Sequence, residues 1–119
     1  MARDSAAKQQ EQTNVITFHI IKNDQNHESL KYLLDLKNIF ARQLPKMPKE
    51  YIVKLVFDRN HESMIILKNN TKVLGGICFR EFKQERFAEI AFLAITSTEQ
   101  IKGFGTRLMN KLKGKGRFK

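Results

Sequence analysis

The chain has 119 residues, with 22 Lys or Arg against 12 Asp or Glu, giving a formal net charge of +10. That length suits one small domain, and a hydrophobic share of 41% excludes wholesale disorder. No apolar run reaches the roughly 18–20 residues of a membrane-spanning helix, and a single cysteine, Cys78, excludes an internal disulfide framework.

Met1–Asn14 is polar, Gln-rich and aperiodic, without the apolar core of a secretory signal, and reads as a disordered leader (1–14). Val15–Lys22 is a β-branched and aromatic run, a strand ended by the turn-forming Asn23-Asp24. Leu30, Leu33, Leu34, Ile39, Phe40 and Leu44 then recur at helical spacing, with charged residues between them. That helix stops by Leu44, because the residue before Pro45 is pushed out of the α region. Pro45–Pro48 is a stiff connector, and Pro48 suits the first position of a second helix reaching about Phe57. Its Pro-x-x-Pro spacing fits an SH3 ligand only formally, since a helix flanks it on each side.

Ser63–Lys68, an Asn69-Asn70 turn and Lys72–Glu81 form a β-hairpin, in which Gly75-Gly76 marks a bulge or close strand approach. Glu85–Arg86 opens the next strand, Phe87–Ile95. From Gly103 onward Phe104, Leu108 and Leu112 repeat every four residues, a helix stripe. The order β-α-α-β-β-β-α predicts one α/β (α+β) unit with antiparallel hairpins in its middle.

The charge is uneven. Seven basic residues and no acid lie between Gln100 and Lys119, leaving a balance of only +3 for residues 1–99. Two features beside that segment carry chemistry. The first is Gln100-Ile101-Lys102-Gly103-Phe104-Gly105-Thr106, between an apolar strand and a helix. Glycines there let backbone approach a ligand, and free N–H groups of a first helical turn bind phosphate oxygens. The bland reading is a tight turn. The second is Glu89, which alone is charged between Phe87 and Ile95. Strict alternation places it with Phe87, Ala91, Leu93 and Ile95, opposite Ala88, Ile90, Phe92 and Ala94. A carboxylate in such surroundings is either partnered or shifted toward neutrality, which suits a general base. The alternative is a strand-end Glu near solvent. His19, His27 and His61 lack the paired spacing of zinc ligands, and Cys78 reads as a packing residue rather than a nucleophile.

Residues 15–113 resemble the front part of a GNAT-superfamily acetyltransferase domain. The runs ARQLPKMPKEYIVKLVFDR, VLGGICFREF and FAEIAFLAITSTEQIKGFGTRLMN carry the likeness. They are most similar to the nuclear histone-acetylating branch of the general-control-non-derepressible type. The resemblance implies acetyl-CoA as cosubstrate, a histone-tail lysine as acceptor, coactivator-complex partners and a nuclear location. It matches Gln100–Thr106 to the pyrophosphate loop and Leu93, Ala94 and Ile95 to the strand that pairs with the acetyl and pantetheine groups. It matches Glu89 to the general base and Leu44–Pro48 to a wall of the peptide groove. No metal and no direct sequence-specific nucleic-acid binding are expected. The likeness ends near Lys113, so residues 114–119 read as a non-family basic tail and the domain as truncated after its third helix, with weak activity alone. A different class of function remains open: a non-catalytic module binding nucleic acid or acidic partners through its C-terminal cations.

Overall fold

Alternating β-branched and aromatic residues draw Ile16–Ile21 into strand β1 of the computed structural model, which describes residues 15–96 and 103–114. Helix α1 (His27–Gln43) begins three residues before its first periodic leucine. The cause is local: the Asn26 side-chain oxygen accepts a 2.9 Å hydrogen bond from the Glu28 N–H, an N-cap that apolar periodicity does not reveal. The helix buries Leu33, Leu36, Ile39 and Phe40 and closes with the Leu44 N–H donating to the Phe40 carbonyl at 2.8 Å. Pro45 follows, as expected. Helix α2 (Lys49–Val56) starts behind Pro48, which stands at the cap rather than inside the helix, and buries Ile52 and Val56.

Strands β2 (Glu62–Lys68), β3 (Lys72–Phe82) and β4 (Phe87–Ile95) complete an antiparallel sheet in the order β1-β2-β3-β4. Asn69 and Asn70, at φ 53° and 60°, make the left-handed turn that joins β2 to β3. Arg86, at φ 60°, belongs to the β3–β4 turn, so Glu85–Arg86 does not open the strand as its sequence suggested. Helix α3 (Phe104–Gly114) follows β4.

The sheet is the middle of three layers. Ile65, Leu67, Cys78 and Phe92 meet α1 and α2 on one face. Met64, Ile66, Ile77, Phe79 and Ile95 meet Phe104, Leu108 and Leu112 of α3 on the other. Two bulges break the alternation. In β3, Ile66 faces Gly75 but Leu67 faces Val73, so Leu74 is extra. Gly75 and Gly76 follow directly, and each lies against a neighbouring strand. A Cβ on Gly75 would stand 2.4 Å from the Ala94 carbonyl oxygen, and one on Gly76 would stand 2.5 Å from that of Met64. Bulge and close approach are thus both present.

Cys78 is fully buried, its thiol donating to the Leu55 carbonyl at 3.8 Å. Burial pushes its pKa up to about 12, which keeps it protonated and unreactive, in line with the packing role expected. The end of α2 is tied to the sheet beside it. His61, itself buried, shares a 2.6 Å hydrogen bond between Nδ1 and Asp58 Oδ2, and the Asn23 side chain donates to the Phe57 carbonyl at 2.9 Å. The His61 bond holds the Asp58 carboxyl below the ordinary carboxylate range. A depressed carboxylate stabilises the fold at pH values above its unfolded pKa, about 3.9, and that contribution is lost as pH falls through the folded value. Acid titration followed by circular dichroism is expected to show Asp58→Asn with a shallower loss of stability below pH ~4 than the parent chain. Equal acid limbs in the two proteins would remove the pair from the stability balance.

Candidate active site

Strand β4 is paired on one side only among the described residues, so its second edge presents backbone N–H and C=O groups outward. The second bulge lies within it. Cys78 faces Phe92 while Phe79 faces Ile90, leaving Ala91 as the extra residue. Ahead of the bulge, Ala88 and Ile90 turn toward the α3 layer; after it, Phe92 and Ala94 turn toward α1 and α2. Glu89 therefore shares a face with Phe92 and Ala94, not with Leu93 and Ile95 as strict alternation predicts. The extra residue inverts the parity, and no two-residue period can register that.

Among the described residues Glu89 is exposed, and the apolar side chains that flank it in sequence do not enclose its carboxylate. Among the described residues, β3 alone lies beside this strand. Its partner in register is Arg80, whose guanidinium lies 4.7 Å from the centre of the Phe82 ring. Phe82 in turn stacks on Phe87 at 4.8 Å. The Arg80 cation thus sits against a ring of its own strand, and that ring is stacked on Phe87 of β4.

At the far end of β4, Leu93 is 37% exposed, whereas Ala94 and Ile95 are buried. Gln100, Ile101 and Lys102 lie outside the described residues. Gly103 stands at φ 81°, in the left-handed region where glycine is favoured, and its carbonyl accepts the first helical bond, from Arg107, at 3.1 Å. The N–H groups of Phe104, Gly105 and Thr106 therefore have no acceptor within their own helix. Phe104 has its side chain wholly inside the core, so only its backbone is available to a ligand. A Cβ on Gly105 would meet nothing within 4 Å, which leaves open space directly over the first turn. Among the described residues the site thus offers three things together: first-turn amides without a helical acceptor at the positive end of α3, an unpaired strand edge, and a carboxylate on that strand. That set fits a phosphate-bearing cosubstrate with an extended amide-containing arm.

Two features escaped the sequence reading. Phe92 is gripped between Phe40, at 5.3 Å between ring centres, and Tyr51, at 5.9 Å and 88°. The Arg80–Phe82–Phe87 stack depends on cross-strand register. Register is a property of paired strands, and the only local signal for either feature was the density of aromatic residues.

The chain is 54% identical over 112 residues to the histone acetyltransferase GCN5 of Oryza sativa subsp. japonica, covering 94% of this chain and 22% of that protein. The crystal structure of Tetrahymena GCN5 superposes with a TM-score of 0.82 at 68% identity, covering 84% of this chain and 62% of that one. The catalytic domain of the same enzyme in complex with coenzyme A gives a TM-score of 0.72 at 67% identity, over 85% and 61%. The chain spans about a fifth of the length of the curated relatives it matches. Residues 33–118 match the model of the acetyltransferase (GNAT) family. With that match over most of its length, on the same mixed α/β architecture, the chain belongs to the GNAT acetyltransferase family.

Proposed function

We propose that this chain carries the acetyl-CoA- and lysine-handling core of a nuclear histone acetyltransferase of the transcriptional-coactivator type. The observation that carries the reading is the coincidence, among the described residues of β4 and the helix after it, of an unpaired edge, first-turn amides without a helical acceptor and Glu89. The names of the relatives support the substrate class: they are histone acetyltransferases, and the Tetrahymena domain binds coenzyme A.

Acetyl-CoA supplies an activated acyl group as a thioester. The first-turn amides of α3, with Gln100–Gly103 ahead of them, hold the pyrophosphate, and the edge of Leu93–Ile95 takes the arm that leads to the thioester. The remaining obstacle is the acceptor. A lysine of pKa ~10.4 is neutral in about one molecule in 2,500 at pH 7, a deficit of roughly 4.6 kcal/mol. Only the neutral amine attacks a carbonyl. Glu89 removes the ammonium proton, directly or through one water, as the amine approaches. A backbone N–H at the open β4 edge donates to the oxygen on which charge develops. The acceptor is a histone-tail lysine, and the subunits of a coactivator complex are partners of the whole protein.

A titration with coenzyme A in moderate salt separates this reading from that of a basic binding module. Saturable binding is expected, with amide shifts at Phe104–Thr106 and along β4. Gly103→Glu is expected to weaken it by roughly tenfold or more, since a side chain at φ 81° is strained and its carboxylate repels phosphate. Salt-sensitive binding to DNA with no response to coenzyme A would favour the module instead.

A further inference from the structure

Helix α2 buries Ile52 and Val56 and leaves Tyr51 45% exposed. An exposed aromatic ring is normally free to move, but this one is set edge-on against Phe92 of β4, at 5.9 Å and 88°. Phe92 is itself only 2% exposed and is backed by Phe40 of α1. Tyr51 is thus a surface ring with a rigid footing, amphipathic and with only two side-chain torsions to immobilise.

Its place along β4 gives that footing a use. The bulge at Ala91 puts Phe92 on the face that carries Glu89, and Leu93–Ile95 follow at once. An amine that reaches both Glu89 and a carbonyl held along Leu93–Ile95 crosses the strand at Phe92, where Tyr51 stands. A lysine side chain is a four-carbon apolar stem ending in a cation, and a tyrosine ring suits both parts.

We propose that Tyr51 is a specificity-determining residue: its ring flanks the acceptor lysine, packing on the alkyl stem and favouring an ammonium head over a neutral acceptor. The proposal rests on the acetyltransferase reading given above, and it adds α2 to the parts of the chain that read the substrate. The ring, not the hydroxyl, carries the effect.

Tyr51→Leu and Tyr51→Phe test it, with a lysine-containing histone-tail peptide as probe. Tyr51→Leu is expected to raise the peptide KM about fivefold, while kcat and the KM for acetyl-CoA stay within about twofold. Tyr51→Phe is expected to match the parent. The same split is read without turnover from the peptide Kd in the presence of coenzyme A. An unchanged peptide KM and Kd in Tyr51→Leu would overturn the proposal. So would a uniform fall in kcat and in both affinities with a lowered melting temperature, which marks a packing role only. The binding arm does not depend on Glu89, so its failure is separable from a failure of the general-base assignment.

Discussion

Glu89→Gln is expected to lower acetyl transfer to a lysine peptide at neutral pH by roughly 10²–10⁴-fold, with acetyl-CoA affinity changed less than about twofold. The amide keeps the size and position of the carboxylate but cannot accept a proton from an ammonium ion. The segment proposed to hold the cosubstrate is not touched, because Glu89 lies ahead of the Ala91 bulge and Leu93–Ile95 lie after it. The deficit is expected to narrow as pH approaches ~10.4, where the acceptor loses its proton to water unaided. A variant with undiminished turnover at pH 7, or one with a pH-independent deficit, would remove Glu89 from the role of base.

The second large effect concerns stability. Gly75→Ala is expected to destabilise the fold by about 3 kcal/mol or more, and Gly75→Val to prevent folding. Besides the Ala94 carbonyl, the added Cβ would stand 2.7 Å from the Ile95 Cα, and φ 157° is a conformation that L side chains rarely adopt. Backbone of a paired strand cannot retreat without opening the β3–β4 ladder, and Gly75 pairs directly with Ile95. Gly105→Ala is the contrast. Its Cβ enters open space, and alanine in a helix is favoured over glycine by about 1 kcal/mol, so stability is expected to hold or rise. Denaturant unfolding of the two variants separates the cases. A Gly75→Ala protein with the parent's midpoint would show that the sheet yields there at little cost.

Much of this architecture was legible from the residues. Pro45 and Pro48 bracket the connector, the paired asparagines mark a turn, and Phe104, Leu108 and Leu112 give the stripe that α3 buries. These signals are local, each set by the torsions or period of a few residues. What stayed hidden is set between strands. The extra residue at Ala91 reverses the faces of β4, so the side of the sheet that Glu89 shares could not be read from alternation. The pairing of Arg80 with Glu89, and the seat of Tyr51 on Phe92, likewise arise only once register and layer packing are fixed. Asn26 shows the same limit on a smaller scale, moving a helix start by three residues through one side-chain bond.

The concentration of cations beyond Gln100 also takes a narrower meaning. Lys111 lies 5.6 Å from the centre of the Phe18 ring, across the sheet face that α3 covers, so part of that charge serves the packing of the helix. The most direct measurement is transfer of a radiolabelled acetyl group from acetyl-CoA to a histone-tail lysine peptide by the parent chain. Label is expected on the lysine side-chain amine of the peptide and not on the protein, with a rate that rises with pH. Absence of transfer, in a chain that binds DNA but not coenzyme A, would contradict an acetyltransferase core.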